Sequence, residues 1–101
     1  MTNPSWKKLE QKIAKKLGGK RIPCSGVSRD FKGDVVTDKL LIDCKHGEQI
    51  PKKLIDWWRK VKEEAEKMDK IPALVLKKKG MRGELIVLNV DDFKEMIKDD
   101  G

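Results

Sequence analysis

Apolar positions fall at two different spacings along this 101-residue chain, and the switches between them mark out the elements. From Trp6 onward, Leu9, Ile13, Ala14 and Leu17 recur three and four apart, the spacing of one helical face. Asn3-Pro4 offers an N-cap followed by proline at the first helical position, and Gly18-Gly19 supplies the stop. RIPC, residues 21–24, reads as a short strand, broken by the loop SGVSRDFKG at 25–33. DVV at 34–36 and LLIDCK at 40–45 read as two strands joined by a tight turn around Thr37-Asp38-Lys39. A longer helix covers residues 51–69, with Leu54, Trp57, Trp58, Val61, Ala65 and Met68 along its stripe. PALVLKK at 72–78 and ELIVLNV at 84–90 then make a hairpin, and Asp91 or Asp92 caps a short last helix. The predicted order is α-β-β-β-α-β-β-α: a single α/β domain over residues 1–101, with a mixed central sheet flanked by helices.

Several charged residues break this pattern. With Trp6 set at zero and about 100° per residue, Glu10 lies at about 40°, inside the apolar arc of the first helix. Lys7, Lys8, Lys12, Lys15 and Lys16 all lie on the other side. The ordinary explanation for Glu10 is a place at the margin of the face, or a buried cation to pair with. Asp34 opens a strand after Gly33, where aspartate is disfavoured unless it bonds a nearby backbone group. In LLIDCK, alternation sets Leu41, Asp43 and Lys45 on one face, with Leu40, Ile42 and Cys44 on the other. Alone, Asp43 and Lys45 amount to a same-face ion pair of little consequence.

Composition adds a preference about partners. Charged residues make up 41% of the chain and aromatic residues 5%, so the surface is well solvated and the core aliphatic. The 24 Lys and Arg against 17 Asp and Glu give a net charge of +7. That excess suits a polyanion, whose counterions are released on binding, although a lysine-rich solvated surface has the same composition. No stretch approaches the roughly 18 apolar residues of a membrane span, and the first residues lack the apolar centre of a secretory signal. A cytoplasmic protein with no membrane association and with Cys24 and Cys44 reduced is expected. Cys24, Cys44 and His46 lack both a fourth ligand and a CxxC spacing, which argues against zinc.

The three acids change meaning when taken together. A helix glutamate, a strand-start aspartate and a strand aspartate followed by lysine can converge at one end of a sheet. Clustered carboxylates repel one another, and a divalent cation between them makes the cluster stable. A lysine beside such a site can orient or deprotonate water, or stabilise negative charge developing on phosphorus. With a basic surface, the consistent chemistry is metal-dependent phosphodiester hydrolysis.

Gly33-Asp34 followed by Asp43-Cys44-Lys45 resembles the signature of the PD-(D/E)XK nucleases, with glycine where a proline is often found. Glu10, the stretch KRIPCSG at 20–26 and the order of elements resemble the archaeal-type Holliday junction resolvases and their small phage-borne relatives. The resemblance implies a restriction-endonuclease-like fold, a magnesium or manganese ion, and a homodimer acting on four-way or other branched DNA. A phage-encoded origin is in keeping with it. It also implies that Asp34, Asp43 and the Cys44 carbonyl bind the metal, that Glu10 completes the acidic site and that Lys45 positions the attacking water. Ser25 matches a loop serine close to the scissile phosphate, and Arg21, Ser25, Arg29, Lys32 and His46 are expected at the DNA. Two departures stand out. The second acid is Asp43 where these resolvases usually carry glutamate, and the glutamine often found on the following helix has no counterpart near Asp56 and Trp57. The alternatives are a nuclease of the same fold acting on other branched or single-stranded DNA, and a catalytically inactive basic nucleic-acid-binding module.

Overall fold

A computed structural model describes residues 5–22 and 34–98, with side chains from Lys7 onward. The elements are α1 (Ser5–Leu17), β1 (Lys20–Arg21), β2 (Val35–Val36), β3 (Leu41–Ile42), α2 (Lys52–Lys67), β4 (Leu74–Leu76), β5 (Leu85–Val87) and α3 (Val90–Lys98). All but β1 fall on segments that the apolar pattern marks, with strands shorter than the apolar runs, whereas β1 starts one residue before the strand predicted over 21–24 and shares only Arg21 with it. The chain divides into two compact units, Met1–Gln49 and Ile50–Gly101. One mixed sheet is expected from the pattern. The described strands instead pair with their chain neighbours, as a three-stranded antiparallel sheet β1-β2-β3 and a two-stranded antiparallel sheet β4-β5.

In the first unit α1 packs on β1 and β2. Ile13 and Ala14 are buried, and Val35 on the central strand is fully buried. The helix ends where the glycines predict. Gly18 takes a left-handed φ of 71°, and the Gly19 N–H donates to the Ala14 carbonyl at 2.8 Å, closing a Schellman turn. Gly19 then passes so close to β2 that an added Cβ would stand 2.5 Å from the Val36 carbonyl oxygen. The turn between β2 and β3 is held by Thr37, whose Oγ1 accepts from the N–H groups of Lys39 at 3.2 Å and Leu40 at 3.0 Å.

In the second unit α2 packs on β4, with Ala65 buried. Asp69, at φ 54°, closes the helix: the Lys70 N–H donates to the Ala65 carbonyl at 2.9 Å and the Asp69 N–H to the Glu66 carbonyl at 3.3 Å. Trp57 and Trp58 flank the apolar stripe as adjacent helical residues must. Trp57 is exposed under the Lys53 ammonium, which stands 5.8 Å from its ring centroid, and Trp58 is half-buried. The cap of α3 is Asn89, not Asp91 or Asp92. Its Oδ1 accepts from the Asp91 N–H at 2.9 Å, and both aspartates fall inside the first turn, where the helix dipole favours them.

Candidate active site

Every described candidate residue lies in the first unit, and the sheet brings Asp34 beside the chain that leaves β3. Val35 pairs with Ile42 and Val36 with Leu41, and Asp34, one residue before these pairs, bonds back to Ile42 in place of continuing the register. The backbone of Asp34 is fixed on both sides: its N–H donates to the Ile42 carbonyl at 2.7 Å, and its carbonyl accepts from the Ile22 N–H at 2.9 Å. A central strand therefore carries this aspartate rigidly.

At Cys44 the ladder changes character. The Cys44 N–H donates to Asp34 Oδ2 at 2.6 Å, so a carboxylate takes the backbone bond that a continued strand would make. This is why β3 ends at Ile42 and why residues 43–46 leave the sheet, where the sequence predicts a strand to residue 45. The same bond brings the Cys44–Lys45 backbone beside Asp34.

Asp43 and Lys45 form the outer part of the site. Lys45 Nζ lies 2.7 Å from Asp43 Oδ2, and both side chains are largely open to water. The Lys45 hydrogen bond, followed by the influence of Asp34, holds Asp43 below the usual carboxylate range. In turn Asp43 pushes the Lys45 ammonium above its ordinary pKa, so Lys45 is a cation at neutral pH. Burial, then the negative charges of Asp34, Glu10 and Asp43, push the half-buried Cys44 thiol up. All three carboxylates therefore act on the environment of Cys44.

Glu10 is the one buried charged side chain among the described residues, at 5% exposure. Its partner is Arg21 on β1, whose Nε donates to Oε1 at 3.0 Å and whose Nη2 stands 3.0 Å from the same oxygen in an ion pair. Arg21, expected at the DNA, is thus engaged inside the protein. The pairing was foreseeable only as the general need of a core-facing glutamate for a cation; nothing in the spacing singled out Arg21 among the neighbouring basic residues. His46 is exposed after Lys45. Ser25, Arg29, Lys32 and Cys24 lie outside the described residues.

Among the described residues no three Asp, Glu, His or Cys side chains are gathered into a ready ligand cluster. Asp34, which holds the Cys44 N–H, and the adjoining Asp43 offer hard oxygen donors, which suit magnesium or manganese far better than a soft metal. Carboxylates beside an ammonium are suited to hydrolysis of a phosphodiester, and small α/β nucleases are a class with this make-up. The chain belongs to the family described as "Phage putative PDDEXK endonuclease", whose profile matches residues 7–100. That span includes α1 from Lys7, both sheets and Glu10, Asp34, Asp43 and Lys45. The expectation of a PD-(D/E)XK nuclease with phage relatives is thereby borne out, and DNA is the substrate such a family implies. PD-(D/E)XK nucleases generally use divalent metals. Comparison with curated proteins and with solved structures gave no significant match. No helix among the described residues is long and apolar enough to cross a membrane.

Proposed function

We propose that this chain is a magnesium- or manganese-dependent endonuclease selective for branched DNA, resolving four-way junctions as a homodimer with a restriction-endonuclease-like fold. The observation that supports the chemistry best is the Cys44 backbone held by the Asp34 carboxylate, next to the ion pair of Asp43 and Lys45. Asp34 and Asp43 would hold the ion, together with the Cys44 carbonyl and Glu10. Bound there, the ion supplies Lewis acidity toward the scissile phosphate and a lowered pKa for a bound water.

The residues of the chain do the positioning. Asp34 binds the Cys44 N–H and so fixes the direction of the neighbouring peptide. Lys45 positions the attacking water, donates hydrogen bonds and offsets charge developing on phosphorus. Ser25, Arg29 and Lys32 would contact phosphate from the loop at 25–33, and His46 from the segment after Lys45. The net charge of +7 supplies the sequence-independent part of binding. Selectivity for junctions rests on the resolvase-like order of Glu10, Arg21, Ser25-Gly26, Asp34 and Asp43-x-Lys45.

The reading separates binding from cutting at one residue. Asp43→Ala should abolish metal-dependent cleavage and leave binding of branched DNA close to wild type in a gel-shift titration. If the wild type binds branched DNA yet never cuts it with magnesium or manganese, the enzyme reading fails and an inactive binding module takes its place.

A further inference from the structure

We infer that Arg21 is a positioning residue: it acts through Glu10, fixing that carboxylate beside the strand that carries Asp34, and does not act as a phosphate contact. This rests on the nuclease reading of Asp34, Asp43 and Glu10. Arg21 Nε donates to Glu10 Oε1 at 3.0 Å, and Nη2 stands 3.0 Å from the same oxygen, so the guanidinium holds the buried carboxylate from one side.

The framework gives this pairing its direction. Arg21 sits opposite Val35, the fully buried residue that follows Asp34 on the central strand. The Ile22 N–H, one residue on, donates to the Asp34 carbonyl at 2.9 Å. The backbone that carries Arg21 is thus bonded to the backbone that carries Asp34, and Arg21 links α1 to the aspartate strand. At 6% exposure the Glu10 side chain cannot be oriented by water. Arg21, at 30%, is screened enough to hold it and has little surface left for a phosphate.

A double-mutant cycle of Glu10→Gln and Arg21→Gln tests this, with three readouts. These are manganese affinity by calorimetry, kcat and KM on a four-way junction, and metal-free junction binding against salt. Arg21→Gln should weaken manganese binding and lower kcat by about 10- to 100-fold, as loss of an outer-shell partner does. KM and the salt slope should stay at wild-type values, and the double variant should be no worse than Glu10→Gln alone. If Arg21→Gln instead weakens junction binding in both backgrounds and lowers the salt slope by about one, Arg21 is a phosphate contact and the inference falls. A wild type that binds manganese but cuts nothing overturns the nuclease reading only, and the four manganese affinities still decide the role of Arg21. A wild type that binds no manganese overturns both. Should Arg21→Gln fail to fold, Arg21→Lys carries the same cycle, keeping a cation at Glu10 without the guanidinium grip.

Discussion

A buried glutamate is stable only with its cation in place, and that makes Arg21 the residue on which the first unit most depends. Removing it leaves the Glu10 charge without compensation in a site 5% exposed. Arg21→Met should therefore destabilise the fold by about 1–3 kcal/mol, and Glu10→Gln by less, since the amide carries no charge to strand. Urea melts of both variants check this, and an Arg21→Met protein as stable as wild type would contradict it. Asp43 and Lys45 set a different expectation. The folded pKa of Asp43 is lowered, so its contribution is present above the unfolded carboxylate value of about 4 and is lost as pH falls through the folded one. That of Lys45 is raised, so its contribution is present below about 10.5 and is lost as pH rises through the folded value. Asp43→Asn should thus flatten the acid limb of a stability–pH profile measured by thermal melts; because both groups are open to water, the effect is small. Glu10, Asp34, Asp43 and Lys45 were legible as anomalies: a glutamate in an apolar arc, an aspartate at a strand start, an acid and a base at the end of an apolar run. Their partners were not, because spacing does not reveal which of several cations or backbone groups lies across the fold.

At the scale of elements, the helices were more legible than the strands. Helical periodicity and terminal glycines located α1 to within two residues, since Gly18 is needed for its left-handed φ and Gly19 for its proximity to β2. Gly19→Ala would place a methyl 2.5 Å from the Val36 carbonyl oxygen and 2.8 Å from Thr37 Cγ2. Backbone has to shift to admit it, so a loss of about 1–3 kcal/mol is expected in urea melts, with Gly47→Ala, which meets no atom, as the comparison for crowding. Alternation predicted that LLIDCK runs on as a strand, but it could not show that the Asp34 carboxylate would take the Cys44 N–H and end the ladder. The hairpin β4–β5 was legible from its two apolar runs. Its outer pair, Val75 and Ile86, is exposed at 61% and 60%, something that alternation within either run does not reveal.

At the scale of the whole molecule, a basic chain of the PD-(D/E)XK endonuclease family carries its described acidic residues of interest in one unit, Met1–Gln49. Charge and family agree on a nucleic-acid substrate, and the proposed junction selectivity rests on the residue order. Of the possible measurements, incubation of the wild-type chain with a labelled four-way junction, a matched duplex and a single strand tests the central claim most directly. Each is compared with and without magnesium or manganese, with Asp43→Ala alongside. The account predicts metal-dependent, symmetrically paired nicks in the junction, little cutting of the duplex or the single strand, and none by the variant. Cleavage that persists without metal or in Asp43→Ala would contradict it, as would equal cutting of all three substrates.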